Sequence, residues 1–294
     1  MEKTFLFRQN SGLSSPLTCL STGSKGKFVV CGNTESTIFV IDTRTGKLKQ
    51  TIEGHDGKIT GVSFVRDRFQ VLSCSWDATT RLWDSKEKGK PLILKHGSEV
   101  KTLAVSQELG KGVAGARDGE IKIFSLSTMK NLRNIQAHKS DISGLAILED
   151  ENKIVTSSWD GECKIWNMNS YELETRLVNQ KERIRSVAST PDGSKVVLGM
   201  QSGTILVIDS EDTSQIKQIK GHADVVESLS IDSDGERLAS GSWDRTFRLW
   251  SLNSYKEISS GNLLTGITAV EWGPKDEVVY SADFSGAITS WSIS

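Results

Sequence analysis

Three observations predict an all-β fold built from seven similar units. First, a Ser-Trp-Asp motif recurs in "SCSWDATTRLWD" (73–84), "SSWDGECKIWN" (157–167) and "SGSWDRTFRLWS" (240–251). Each time a second Trp follows six residues after the Asp. Second, alignment on that second aromatic position gives Ile41, Trp83, Phe124, Trp166, Ile208, Trp250 and Trp291, at spacings of 42, 41, 42, 42, 42 and 41. Third, short runs rich in β-branched and aromatic residues fill the intervals, with Gly, Asp, Asn and Ser between them and no helical periodicity. Four short strands per period of this length make a propeller blade, so the expected fold is a seven-bladed β-propeller with four antiparallel strands per blade.

The elements follow in order. An orphan segment, "KTFLFRQ" (3–9), precedes the first unit and holds the place that "KLKQTIE" (47–53) holds before the second. The units then run roughly over 14–53, 56–95, 98–136, 139–178, 181–220, 223–261 and 264–294. In the sixth, "VVESLSI" leads through the turn "DSDGE" to "RLASGS", "WDRT" turns into "FRLWSL", and "YKEIS" completes the blade. The seventh unit ends after its third strand, "AITSWSIS". Residues 3–9 are therefore expected to supply its outer strand, and the whole of 1–294 forms one domain whose core lies between blades.

The Trp-Asp at 83–84, the Gly-His at 54–55 and 221–222 and the tight-turn Asp residues carry a resemblance to the WD-repeat β-propeller family over essentially the whole chain. All four histidines fall in phase: His55, His96, His138 and His222 each precede Trp83, Phe124, Trp166 and Trp250 by 28 residues. Asp77, Asp118, Asp160 and Asp244 precede the same aromatics by six. A turn Asp, an inter-blade His and an indole suggest a buried hydrogen-bond chain, which the resemblance also implies, with Ser75, Ser158 and Ser242 as its hydroxyls. The first, fifth and seventh units carry Leu13, Gln180 and Leu263 in place of His, and Glu35, Ser202 and Ser285 in place of Asp. Those units are expected to open more easily.

A Ser-His-Asp catalytic group is a poor fit, because four equivalent copies around a ring do not build one active site. The same separation argues against metal ligation, and no catalytic residue, metal or cofactor is expected. A propeller enzyme would need acids converging on the channel, and the inner positions repeat no such set. The net charge of −1 and the absence of a long apolar run give no reason to expect a nucleic-acid or membrane partner. Cys19, Cys31, Cys74 and Cys163 lack CxxC or disulfide spacing and read as buried thiols of a soluble intracellular protein, cytoplasmic or nuclear.

The resemblance implies a partner-binding face beside the central channel. At its turn positions stand Thr34, Trp76, Arg117, Trp159, Gln201, Trp243 and Phe284. The inner-strand positions add Lys58, Glu99, Lys101, Asp141, Arg183, Arg185 and Glu227 among others. Trp and Arg dominate binding hot spots. Trp76, Lys101, Arg117, Trp159, Arg183, Arg185, Trp243 and Phe284 are accordingly the candidate contacts for a protein or peptide with acidic or aromatic side chains. The competing reading has each Trp fold over its neighbour and seal the ring. The expected function is a non-catalytic scaffold, or else an architectural subunit that uses its blade sides or opposite face.

Overall fold

The computed structural model describes residues 1–8, 15–23, 25–65, 70–84, 90–148 and 152–293. Gln9, Leu13, Ser14 and Ser294, which figure in the sequence reading, lie outside the described residues. The strands form seven four-stranded antiparallel sheets, six of them in sequential order. Blade six, for example, comprises Val226–Ile231, Arg237–Ser242, Thr246–Ser251 and Glu257–Asn262 from channel to periphery. Blade seven takes Ile267–Trp272, Val278–Asp283 and Ala287–Ser292, then accepts Glu2–Arg8 as its outer strand. In that pairing Glu2 stands opposite Ser292 and Arg8 opposite Ala287. The inner strands of blades seven and one also touch, which closes the ring. No helix among the described residues is long and apolar enough to cross a membrane.

The core lies between blades because alternation gives every sheet two faces to bury. Leu148, Val155 and Ile165 of blade four pack with Ile184, Val196, Leu198 and Ile208 of blade five, all of them buried. Close approach at the second strand requires small residues there. A Cβ at Gly115 would stand 2.5 Å from Ile142 Cγ2 of the next blade, and one at Gly241 would stand 2.5 Å from Ile267 Cγ2.

Two local devices recur in every blade. The tight turn after the second strand places one residue in the left-handed region: Ser36, Ala78, Gly119, Gly161, Gly203, Arg245 and Gly286. The inner strand has a register shift just after its first residue, from Leu17/Cys19 in blade one to Ile267/Ala269 in blade seven. A bulge re-aims the side chain it releases. Here the released residues Thr18, Thr60, Lys101, Ser143, Arg185, Glu227 and Thr268 all line the central channel.

Candidate functional site

Blades two, four and six build the same buried chain. His55 Nδ1 meets Asp77 Oδ2 at 2.6 Å, His55 Nε2 meets Ser73 Oγ at 2.8 Å, and Trp83 Nε1 donates to that hydroxyl at 2.8 Å. In blade four, His138 lies 3.1 Å from Asp160 and 2.7 Å from Thr156 Oγ1, which accepts from Trp166 Nε1 at 3.0 Å. Blade six repeats the arrangement with Asp244 at 2.9 Å, Ser240 at 2.7 Å and Trp250. One proton arrangement satisfies every atom. The indole donates to the hydroxyl, the hydroxyl donates to Nε2, and a neutral imidazole donates from Nδ1 to the carboxylate.

The titration directions agree with a neutral imidazole. Burial lowers the His55 and His138 pKa values against the pull of their carboxylates. Burial alone would raise the Asp77 carboxyl, but bonds from Thr79 and His55 outweigh it and hold it below its ordinary value. Asp244 is likewise held low, by His222, Thr246 and the Ala223 amide acting against burial.

Two expectations need correction. The hydroxyl that receives the imidazole belongs to Ser73, Thr156 and Ser240, not to Ser75, Ser158 and Ser242. Alternation puts both members of each pair on one side of the strand. The nearer one is occupied at the turn, where Ser75, Ser158 and Ser242 donate to Gly57, Ser140 and Asp224 carbonyls and accept from Asp77, Asp160 and Asp244 amides. A signal for the correct residue was present. A Ser or Thr stands ten residues before the aligned position wherever that position is Trp (Ser73, Thr156, Ser240, Ser281), whereas Ile41, Phe124 and Ile208 are preceded by Cys31, Ala114 and Leu198.

His96 and Asp118 do not pair. Ala114 offers no hydroxyl and Phe124 no indole N–H, so His96 Nε2 turns to Thr80 Oγ1 of blade two at 2.9 Å, and its buried Nδ1 has no partner. Burial, then Lys122, push the His96 pKa down to about 4. Asp118 is exposed and caps its own turn at the Glu120 amide. Blades one and seven cap that turn with Asn33 and Asp283, two positions earlier than the Asp of blades two, three, four and six.

His138, Asp160 and Glu162 bring ligand-type atoms within 4.8 Å of one another. Those donors are already engaged: His138 with Asp160, and Glu162 with Lys164 at 2.6 Å and Arg176 at 2.8 Å. All four cysteines are free and buried, and burial pushes the Cys19 thiol up to about 11.

At the channel mouth the candidate rim residues form a ladder of alternating cations and indoles. Lys58 Nζ lies 5.0 Å from the Trp76 ring, and Lys101 Nζ bridges Trp76 at 5.5 Å and Trp159 at 4.6 Å. Arg183 stacks on Trp159 at 4.9 Å, while Arg185 bridges Trp159 at 5.0 Å and Trp243 at 5.3 Å. Trp243 then meets Phe284 edge to face at 5.7 Å. The ladder thus continues across alternate blades because long side chains from the intervening blades fill the gaps. Arg117 stands apart from it, paired with Glu99 at 3.0 Å. The linking cations are Lys101 and Arg185, both of which the bulge aims at the channel.

The family described as WD domain, G-beta repeat matches residues 46–84, 129–167 and 213–251. Each match ends in a blade that carries the full His-Asp-Trp chain, and all seven blades share one architecture. The chain is a WD-repeat β-propeller. This propeller is 30% identical over 113 residues to the Periodic tryptophan protein 2 homolog of Dictyostelium discoideum, covering 38% of the chain and 12% of that relative. It is 31% identical over 119 residues to the Serine-threonine kinase receptor-associated protein of the same organism, covering 40% and 41%. Likeness to the U3 small nucleolar RNA-associated protein 15 homolog of Gallus gallus is 22% over 273 residues, covering 92% of the chain and 44% of the relative. In each case the match spans less than half of the relative's length.

Proposed function

We propose that this WD-repeat propeller is a non-catalytic architectural subunit of a larger protein assembly, with the channel-mouth rim as its working face. The ladder from Lys58 to Phe284 carries this reading, since it offers ordered aromatic and cationic side chains around one opening. Membership of an assembly is supported by two relatives whose names state association, one with a kinase receptor and one with a small nucleolar RNA. The second of these, which aligns with nearly the whole chain, favours a nuclear setting. The propeller's own contact is with protein.

A pull-down from native lysate, read by mass spectrometry, tests the reading. Wild type is compared with a Trp159→Ala, Arg185→Glu double variant first shown to melt normally. Loss of specific partners from the variant is the expected result. Retention of every partner moves the working surface to the blade sides or the opposite face.

A further inference from the structure

Three carboxylates at the channel mouth are matched to three cations. Glu99 pairs with Arg117 at 3.0 Å, Asp141 with Lys101 at 3.6 Å and Glu227 with Arg185 at 2.6 Å. Lys58 and Arg183 have no carboxylate within ion-pair distance among the described residues, although the chain as a whole carries a net charge of −1. Both rest against indoles, Lys58 on Trp76 and Arg183 on Trp159, which favours one placement of each charge before anything binds. A face with two fixed, uncompensated positive charges favours an anionic occupant.

The rim is apolar at both ends, Trp76 being 46% exposed, but at the Trp243–Phe284 end the one cation on the rings among the described residues, Arg185, is paired with Glu227. Leu264 is 88% exposed, Phe284 39% and Trp243 37%. Gly266, two residues beyond Leu264, lies under the Trp243–Phe284 pair, where an added Cβ would meet the Phe284 ring at 3.0 Å and Trp243 Cα at 3.1 Å. Trp243 and Phe284 thus form an apolar pair at the mouth, with the exposed Leu264 on the segment that leads to the glycine beneath them. Arg185, touching both Trp159 and Trp243, joins that pair to the cationic stretch.

Resting on the reading of the rim as a working face, we propose that it takes an acidic peptide segment in one direction. Two carboxylates of the segment lie over Lys58 and Arg183, and a bulky apolar side chain lies against Leu264, Phe284 and Trp243. A single-stranded nucleic acid fits less well, because it needs free aromatic faces on which bases stack. Trp159 already carries Lys101, Arg183 and Arg185 within 5.0 Å of its ring, and Lys58 and Lys101 occupy Trp76.

The test is selection of random dodecapeptides displayed on phage against the full chain. Selected peptides are then synthesised with a fluorescein label and titrated by anisotropy. Expected winners carry two or more Asp or Glu residues with a Leu, Ile, Phe, Tyr or Trp to one side. Lys58→Glu with Arg183→Glu is expected to weaken them at least tenfold and Leu264→Asp several-fold, with melting unchanged. Winners that need the rim but lack acids, or that tolerate the double charge reversal, overturn the proposal and leave the rim as a working face. Winners indifferent to every rim substitution, or no winners at all, count against the rim reading and the proposal together. Displacement of the labelled peptide by an unstructured oligouridine at equal concentration overturns the proposal in favour of nucleic acid.

Discussion

At the level of single residues, the hydroxyl in the indole–imidazole–carboxylate chain is the member with most at stake. Ser73, Thr156 and Ser240 are fully buried, and each serves two ring nitrogens at once. Breaking the chain leaves a buried donor or acceptor unpaired, which costs more than the bond it formed. In blade four, Trp166→Ala is expected to cost roughly 3–5 kcal/mol, as large core truncations do. His138→Ala is expected to cost about 1–3 kcal/mol by stranding Asp160 and Thr156. Chemical denaturation followed by circular dichroism measures both, and an unchanged midpoint for either contradicts the structural role given to this chain.

At the level of strands and turns, the repeat period made most of the fold legible, because blades that stack on their own copies must recur at fixed spacing. The tight turns were legible from Asp and Gly. The bulge was not, since the residues just after the shift (Cys19, Gly61, Thr102, Gly144, Ser186, Ser228 and Ala269) are all small but of five types, and small residues are common throughout the strands. That gap explains why the candidate rim was read only in part. Trp76, Trp159 and Trp243 could be placed from their turn, but the bridging role of Lys101 and Arg185 depends on where the bulge aims them. Arg117, a candidate contact from the sequence, pairs with Glu99 and takes no part in the ladder. The turn itself offers a gain in stability. Ala78 holds a φ of 60° where four other blades use Gly. Ala78→Gly is expected to stabilise the protein by about 0.5–1 kcal/mol through relief of left-handed strain, visible as a raised midpoint in urea.

At the level of the whole ring, the channel has a chemical asymmetry. Cations gather at its mouth, while Glu271 stands in the wall of a cavity of ≈270 Å³, and burial pushes its carboxyl up to about 7. Its folded pKa lies above the ordinary 4.5. The unfolded chain therefore loses this proton first, and stability falls as pH rises from about 4.5 through 7. Glu271→Gln removes the dependence and is expected to raise stability at pH 8 by up to roughly 3 kcal/mol, with little effect at pH 4. Melting curves of the two proteins across that range should converge at the acid end, and parallel curves would refute the assignment.

The pairing that closes the ring also has a mechanical meaning. Glu2 faces Ser292, so residues next to both ends of the described chain sit at the same end of one antiparallel pair. Tension applied between those two residues would load the pair's bonds one after another, as a zip is drawn, instead of sharing the load along the strand. The same force between Arg8 and Ser292 would shear all the bonds at once. A tether attached near Glu2 and Ser292 would therefore open the ring at low force, and blade seven would come apart first.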